Sequence, residues 1–195
     1  MIAALFIQRG GVYSNLHGVD AWDESRDARK YAGPYPVIAH PPCSRWCQLA
    51  HINQKRYGHV VGSDGGCFAH ALDCVRRFGG VLEHPAFSYA WHAFHLQRPR
   101  RGSWQYTAEG AWVTEVSQGR YGHRARKRTW LYYVGAFPPA LDWTEVTPSA
   151  QISWCKNHGN SPLPRLSKKE AAATPVPFRN LLIGLASNTA LKVAA

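Results

Sequence analysis

Apolar positions along the chain fall into short runs separated by turn residues, and these runs set the expected order of elements. Ile2 to Ile7 predicts a first buried strand, closed by the turn Arg9-Gly10-Gly11. Val19 to Trp22 predicts a second short strand. A helical stretch from Glu24 to Tyr31 follows, broken by Gly33-Pro34 and Pro36. Val37-Ile38-Ala39 predicts a third strand. It runs into His40-Pro41-Pro42-Cys43, where the prolines must end a parallel ladder. Phe68, Leu72, Val75 and Phe78 recur at helical spacing, so residues 64 to 78 predict a helix capped by Asp64 and stopped by Gly79-Gly80. Val81-Leu82 opens another strand, which ends at Glu83-His84-Pro85. Residues 86 to 120 are aromatic and irregular in pattern, whereas Thr129 to Val134 is rich in strand formers. Residues 136 to 164 are proline-rich and predict a long loop or small insertion. Ser167 to Ala173 predicts a helix with a Ser167–Glu170 capping box, and Phe178 to Ala186 a final helix.

Strands that alternate with helices argue for one α/β domain over residues 1–195, a Rossmann-like, largely parallel sheet flanked by helices. In such sheets ligands gather beyond the carboxyl ends of the strands. Two chemically loaded strings fall at such ends: Pro-Pro-Cys after residues 37–39 and Glu-His-Pro after residues 81–82.

Composition narrows the partner. With 195 residues, 45% hydrophobic and 18% charged, the chain has globular composition and the size of a single domain. Its net charge of +11 favours an anionic polymer, and nucleic acid is the expected partner. A membrane is not expected, because no apolar run reaches about 18 residues. The amino terminus has no basic segment followed by a long apolar one, so the expected location is cytoplasmic. The eight tryptophans and nine tyrosines serve equally as core or as base-stacking groups. Five cysteines, Cys43, Cys47, Cys67, Cys74 and Cys155, are an odd number and argue against a disulfide framework. Cys43, Cys47 and His51, or Cys67, His70 and Cys74, would be the zinc candidates. Neither set has the C-x-x-C pairing of structural zinc, and no metal is expected.

Cys43 is the candidate nucleophile. Two prolines stiffen its loop, and Arg45, two residues on, is a cation able to lower a thiol pKa. Glu83 is the candidate acid: partial burial at a strand end would raise its pKa and let it donate a hydrogen bond. Arg124, Arg126 and Arg128 alternate ahead of the strand at Thr129. If extended, they point to one side as a comb for phosphate contact.

The order Pro-Pro-Cys, an apolar strand ending in Glu, and alternating arginines before a strand resembles the DNA cytosine-5 methyltransferases. The resemblance implies a class I methyltransferase-like fold, with Cys43 as nucleophile, Glu83 as acid and Arg126 as catalytic arginine. Arg45, Arg124 and Arg128 become DNA-binding residues. His84-Pro85 stands where the family has Asn-Val, and Arg124 where it has Gln. Arg165-Leu166-Ser167-Lys168-Lys169-Glu170 is similar to a late segment of the family, and the small size resembles its short phage or prophage members. The resemblance also implies S-adenosyl-L-methionine as cofactor, held by Phe6, Gly10, Gly11, Asp20 and Trp22. Gln8 replaces the first glycine of that loop, and Asp20 arrives too early for a full crossover helix. The family's target-recognition domain shrinks here to residues 136–164, and a homodimer would replace it. Two rivals remain at this point: pyrimidine C5 modification with another donor, and a non-catalytic DNA-binding protein acting as a restriction decoy.

Overall fold

The computed structural model describes residues 1–152 and 162–189. Cys155 and the middle of the predicted insertion lie outside the described residues. Seven strands form one sheet: β1 (Ile2–Leu5), β2 (Val19–Trp22), β3 (Val37–Ala39), β4 (Gly80–Pro85), β5 (Gln105–Tyr106), β6 (Trp112–Ser117) and β7 (Arg128–Val134). The helices are α1 (Ala50–Tyr57), α2 (Cys67–Phe78), α3 (Tyr89–Ala93), α4 (Lys168–Ala172) and α5 (Val176–Thr189).

The sheet order is β2-β1-β3-β4-β7-β6-β5. The first three pairings are parallel and the last three antiparallel, so the sheet is mixed rather than mostly parallel. The expectation of a largely parallel sheet fails at residues 105–134. There β5, β6 and β7 follow one another through short connections, which only antiparallel pairing permits. Strand β6 escaped sequence reading because Glu115 interrupts an otherwise β-branched run. That carboxylate is only 3% exposed and is held by Arg128 and by the Trp130 indole N–H at 2.8 Å.

Alternate strand residues face opposite sides, as a period of two requires. Ala3, Leu5, Val37 and Leu82 pack with Phe68, Leu72 and Val75 of α2. Ile2, Ala4, Ile38 and Val81 pack with Phe178, Leu182 and Leu185 of α5. The amphipathic α2 therefore covers one face, and α5 the other. Asp64 bonds to the backbone N–H groups of Gly66 and Phe68, so the predicted cap works from two residues ahead of Gly66. The Ser167–Glu170 capping box forms as expected. Only a short 3-10 turn at Ala28–Lys30 appears where a longer helical stretch was predicted. No described helix is long and apolar enough to cross a membrane. The described parts of residues 136–164 contain no helix or strand.

Candidate active site

Parallel pairing of β3 with β4 aligns Ala39 with Leu82, so the Cys43 loop and Glu83 emerge at the same end of neighbouring strands. The loop is pinned at once. His40 N–H donates to the Leu5 carbonyl, and the Cys43 carbonyl accepts from the N–H groups of Trp46 and Cys47 at 2.9 and 2.8 Å. Trp46 is buried and acts as the loop's anchor. Its indole N–H donates to Asp64 at 2.8 Å, and its ring packs on Phe68 and Phe94.

Glu83 stands at the centre of a hydrogen-bonded cluster. Its Oε2 lies 3.0 Å from His40 Nδ1, and its Oε1 accepts from Gln118 Nε2 at 3.0 Å. Both Glu83 and His40 side chains are 12% exposed. Burial alone would push the carboxyl up. The hydrogen bond and charge of His40, with Lys127 and His84 beyond, outweigh it and hold Glu83 well below the usual carboxylate range. This reverses the expectation of a protonated donor: the resting group is a carboxylate.

Burial pushes the Cys43 thiol up to about 11, with Cys47 and Glu83 acting in the same direction and Lys127 against them. The resting sulfur is therefore a thiol, and the cation that favours its thiolate is Lys127, not Arg45. Lys127 also interacts with Glu83, and its own pKa is lowered by burial. Cys43, Glu83 and Lys127 thus lie within electrostatic reach of one another. Alkylation of Cys43 by iodoacetamide is expected to be slow at pH 7 and to climb about tenfold per pH unit until near 11. Lys127→Met should push that rise to still higher pH. Mass spectrometry of the alkylated peptide measures both.

The alternating arginines do not form a comb. Residues 122–127 are irregular, Lys127 has φ +37°, and β7 begins only at Arg128. Each arginine meets a different carboxylate. Arg124 pairs with Glu170 at 3.2 Å, Arg126 with Glu145 at 2.9 Å, and Arg128 with Glu115 at 2.6 Å. The segment from Ala28 to Ser63 has no Asp or Glu at all. Among the described residues, Arg45, Lys55 and Arg56 in this segment make no ion pair, and nearly all of α1 is exposed. The Cys43 loop and α1, which follows it in the chain, therefore carry cations without a carboxylate partner, and α1 is an element the sequence reading missed.

A groove of about 650 Å³ opens beside this cluster, past the carboxyl ends of β1, β2 and β3. Phe6, Asp23, Glu24, Asp27, Arg29 and Pro42 line it, Arg29 pairing with Asp27 at 2.8 Å. Of the five predicted cofactor residues only Phe6 does so, with a strained φ of +58°. Asp20 is taken by Arg26 at 2.6 Å and by the Trp22 indole at 2.7 Å, and Arg26 stacks over Trp22 at 3.9 Å. Gly10 and Gly11 shape the turn that follows β1, with the Gly11 N–H donating to the Gln8 carbonyl. Asp23 and Asp27 are the acids that sequence reasoning missed. Each lies only a few residues past Asp20, and the end of β2 turns them into the groove.

Among the described residues, no group of three or more His, Cys, Asp or Glu side chains could hold a metal ion. His84 is fully buried beside Glu83 on β4, between Phe68 and Trp91, and burial lowers its pKa to about 4. It is a core residue. Comparison with protein families, with curated proteins and with solved structures finds no match to this chain.

Proposed function

We propose that this chain modifies cytosine in DNA at C5, with Cys43 as nucleophile and Glu83 as the group that moves the proton, in the manner of a DNA cytosine-5 methyltransferase. The observation that carries the reading is the mutual electrostatic reach of a thiol, a carboxylate and an ammonium at the ends of adjacent strands. The parallel half of the sheet, with its groove beyond the carboxyl ends, supports a Rossmann-like, class I methyltransferase-like account of the fold.

The ionisation states define the chemistry. A resting thiol must lose a proton before it attacks, and cytosine N3 must gain one as charge enters the ring. The Glu83 carboxylate meets both needs. It accepts the Cys43 proton as the Sγ–C6 bond forms and delivers that proton to N3, so one proton moves and none is lost. Lys127 stabilises both anions while the transfer proceeds. C5 then becomes nucleophilic. Loss of the C5 proton after substitution breaks the Sγ–C6 bond and returns the cysteine. The target base must leave the stack, at a cost of a few kcal/mol. Arg45, Lys55 and Arg56 are the cations available to offset this through the DNA backbone. Arg126, paired with Glu145 at 2.9 Å, has no role in this step.

The groove suits a ligand that carries positive charge, since Asp23 and Glu24 line it in excess of the Asp27–Arg29 pair, which neutralises itself. S-adenosyl-L-methionine fits that description, and Phe6, Asp23 and Glu24 would hold it. When bound, it supplies an activated methyl group. The pairing of Asp20 with Arg26 favours a second reading with the same attack on C6 but a different electrophile. The deciding experiment is mass spectrometry of nucleosides from DNA of cells that express the protein. A methyl increment on cytosine is expected. Another increment supports the second donor, and unmodified DNA overturns both.

A further inference from the structure

Glu83 is gripped on both oxygens, and the grip has a defined direction. Gln118 follows β6 and is 1% exposed. Its Nε2 donates to Glu83 Oε1 at 3.0 Å and to Thr129 Oγ1 at 2.9 Å. Thr129 Oγ1 spends its own hydrogen on the Lys127 carbonyl at 3.1 Å, so it can only accept from Gln118. An ionised carboxylate also only accepts. Both partners therefore turn the Gln118 amide the same way. The same logic fixes His40. Its Nδ1 lies 3.0 Å from Glu83 Oε2 and must carry the hydrogen. Its Nε2 lies 3.0 Å from the hydroxyl of Tyr13, a buried residue on the β1–β2 connection. Burial keeps that phenol protonated, with its pKa raised far above the ordinary value.

The result is a chain, Tyr13–His40–Glu83–Gln118, drawn from four separate parts of the sequence. We propose that His40 is the positioning residue of this centre: from Nδ1 it holds one oxygen of Glu83, opposite Gln118, and so fixes the carboxyl group for its proton transfers. This rests on the reading of Glu83 as proton carrier between Cys43 and the base. The groups that act on Glu83 come from every side: His40 and Cys43 past β3, Tyr13 past β1, Lys127 before β7, and His84 on β4 itself. Among these His40 makes the direct hydrogen bond, and it leads the influences that keep the carboxyl ionised against burial.

The test compares wild type, His40→Ala and His40→Asn, all first checked for folding by thermal unfolding. Asparagine places an N–H donor close to where Nδ1 sits but cannot titrate. Covalent adduct formation is measured near neutral pH on DNA containing 5-fluorocytosine, with S-adenosyl-L-methionine. In parallel, carbon NMR of Glu-labelled protein follows the Glu83 carboxyl directly, assigned with Glu83→Gln. His40→Ala should slow adduct formation by roughly tenfold to a hundredfold, the order that a misplaced catalytic group costs. Its Glu83 titration should move to higher pH, by about one unit or more. His40→Asn should recover most of the rate. An Ala variant with an unmoved Glu83 titration, or an Asn variant no better than Ala, overturns the proposal. If wild type forms no adduct, the methyl-transfer reading falls. The carboxyl titration then decides on His40 by itself: a rise in His40→Ala upholds its hold on Glu83, and no rise refutes it.

Discussion

Cys43→Ser is expected to abolish the covalent complex with 5-fluorocytosine DNA, lowering its rate of formation by at least about 10³-fold, the scale seen when a nucleophile is removed. The change exchanges one atom on a half-buried side chain, so the fold should survive. Chemistry should not. A serine hydroxyl is far harder to deprotonate than a thiol and its oxygen is a poorer nucleophile toward C6. Denaturing gel electrophoresis of the trapped complex gives the measurement, with a melting curve as control for folding. Cys47 is the internal check. It lies within electrostatic reach of Cys43, and its N–H caps the same turn at 2.8 Å. Undiminished trapping by Cys43→Ser would move the nucleophile to Cys47 and overturn the assignment.

Gly80→Ala should be the most damaging single methyl in the molecule. Gly80 opens β4 with φ +114°, and a Cβ there would sit 2.0 Å from the Val37 carbonyl oxygen and 2.5 Å from its nitrogen. The obstacle is strand backbone, which cannot move aside without breaking the β3–β4 pairing that aligns Cys43 with Glu83. A destabilisation of about 3 kcal/mol or more is expected, from left-handed strain together with lost ladder bonds. Gly10→Ala is the control. Its φ is +66°, but open space surrounds the added methyl, so only the conformational cost of about 1 kcal/mol applies. Urea denaturation of both variants measures the difference. Equal losses would show that the β3–β4 contact is not the weak point.

The first half of the fold was legible because its strands are continuous apolar runs bounded by prolines and glycines. Val37-Ile38-Ala39 and Val81-Leu82 have no polar residue to blur their limits, and both chemical strings at their ends were found. The second half was legible only in part: the strand at Thr129, the Ser167–Glu170 capping box and the final helix were read, and the sheet's antiparallel edge was not. Strand β6 carries Glu115 in its middle, a residue whose burial makes sense only once Arg128 and Trp130 are in place across the sheet. Helix α1 has no apolar stripe to betray it, since it packs almost nothing into the core. In the candidate site, Cys43 and Glu83 came from local pattern. Gln118 and Lys127 did not, because their contribution arises from pairing between segments. Ionisation was the subtler error. Partial burial suggested a raised Glu83 pKa, yet the sign depends on His40, 43 residues away in the chain. The arginine run invited a phosphate reading for the same reason: nothing near it in sequence reveals that Glu115, Glu145 and Glu170 fold back to meet it.

The reversal of direction between β4 and β7 has its own consequence. Pro85, where β4 finishes, faces Thr129, the second residue of β7, while Ser117 at the close of β6 faces Arg128, the first. Lys127 and Gln118 arrive at the reaction centre by this turnabout alone. A cut anywhere near residue 100 would leave the sulfur and carboxylate on one fragment and the ammonium and amide on the other. Neither piece would own a working centre, and only their reassembly into a single continuous sheet would restore it.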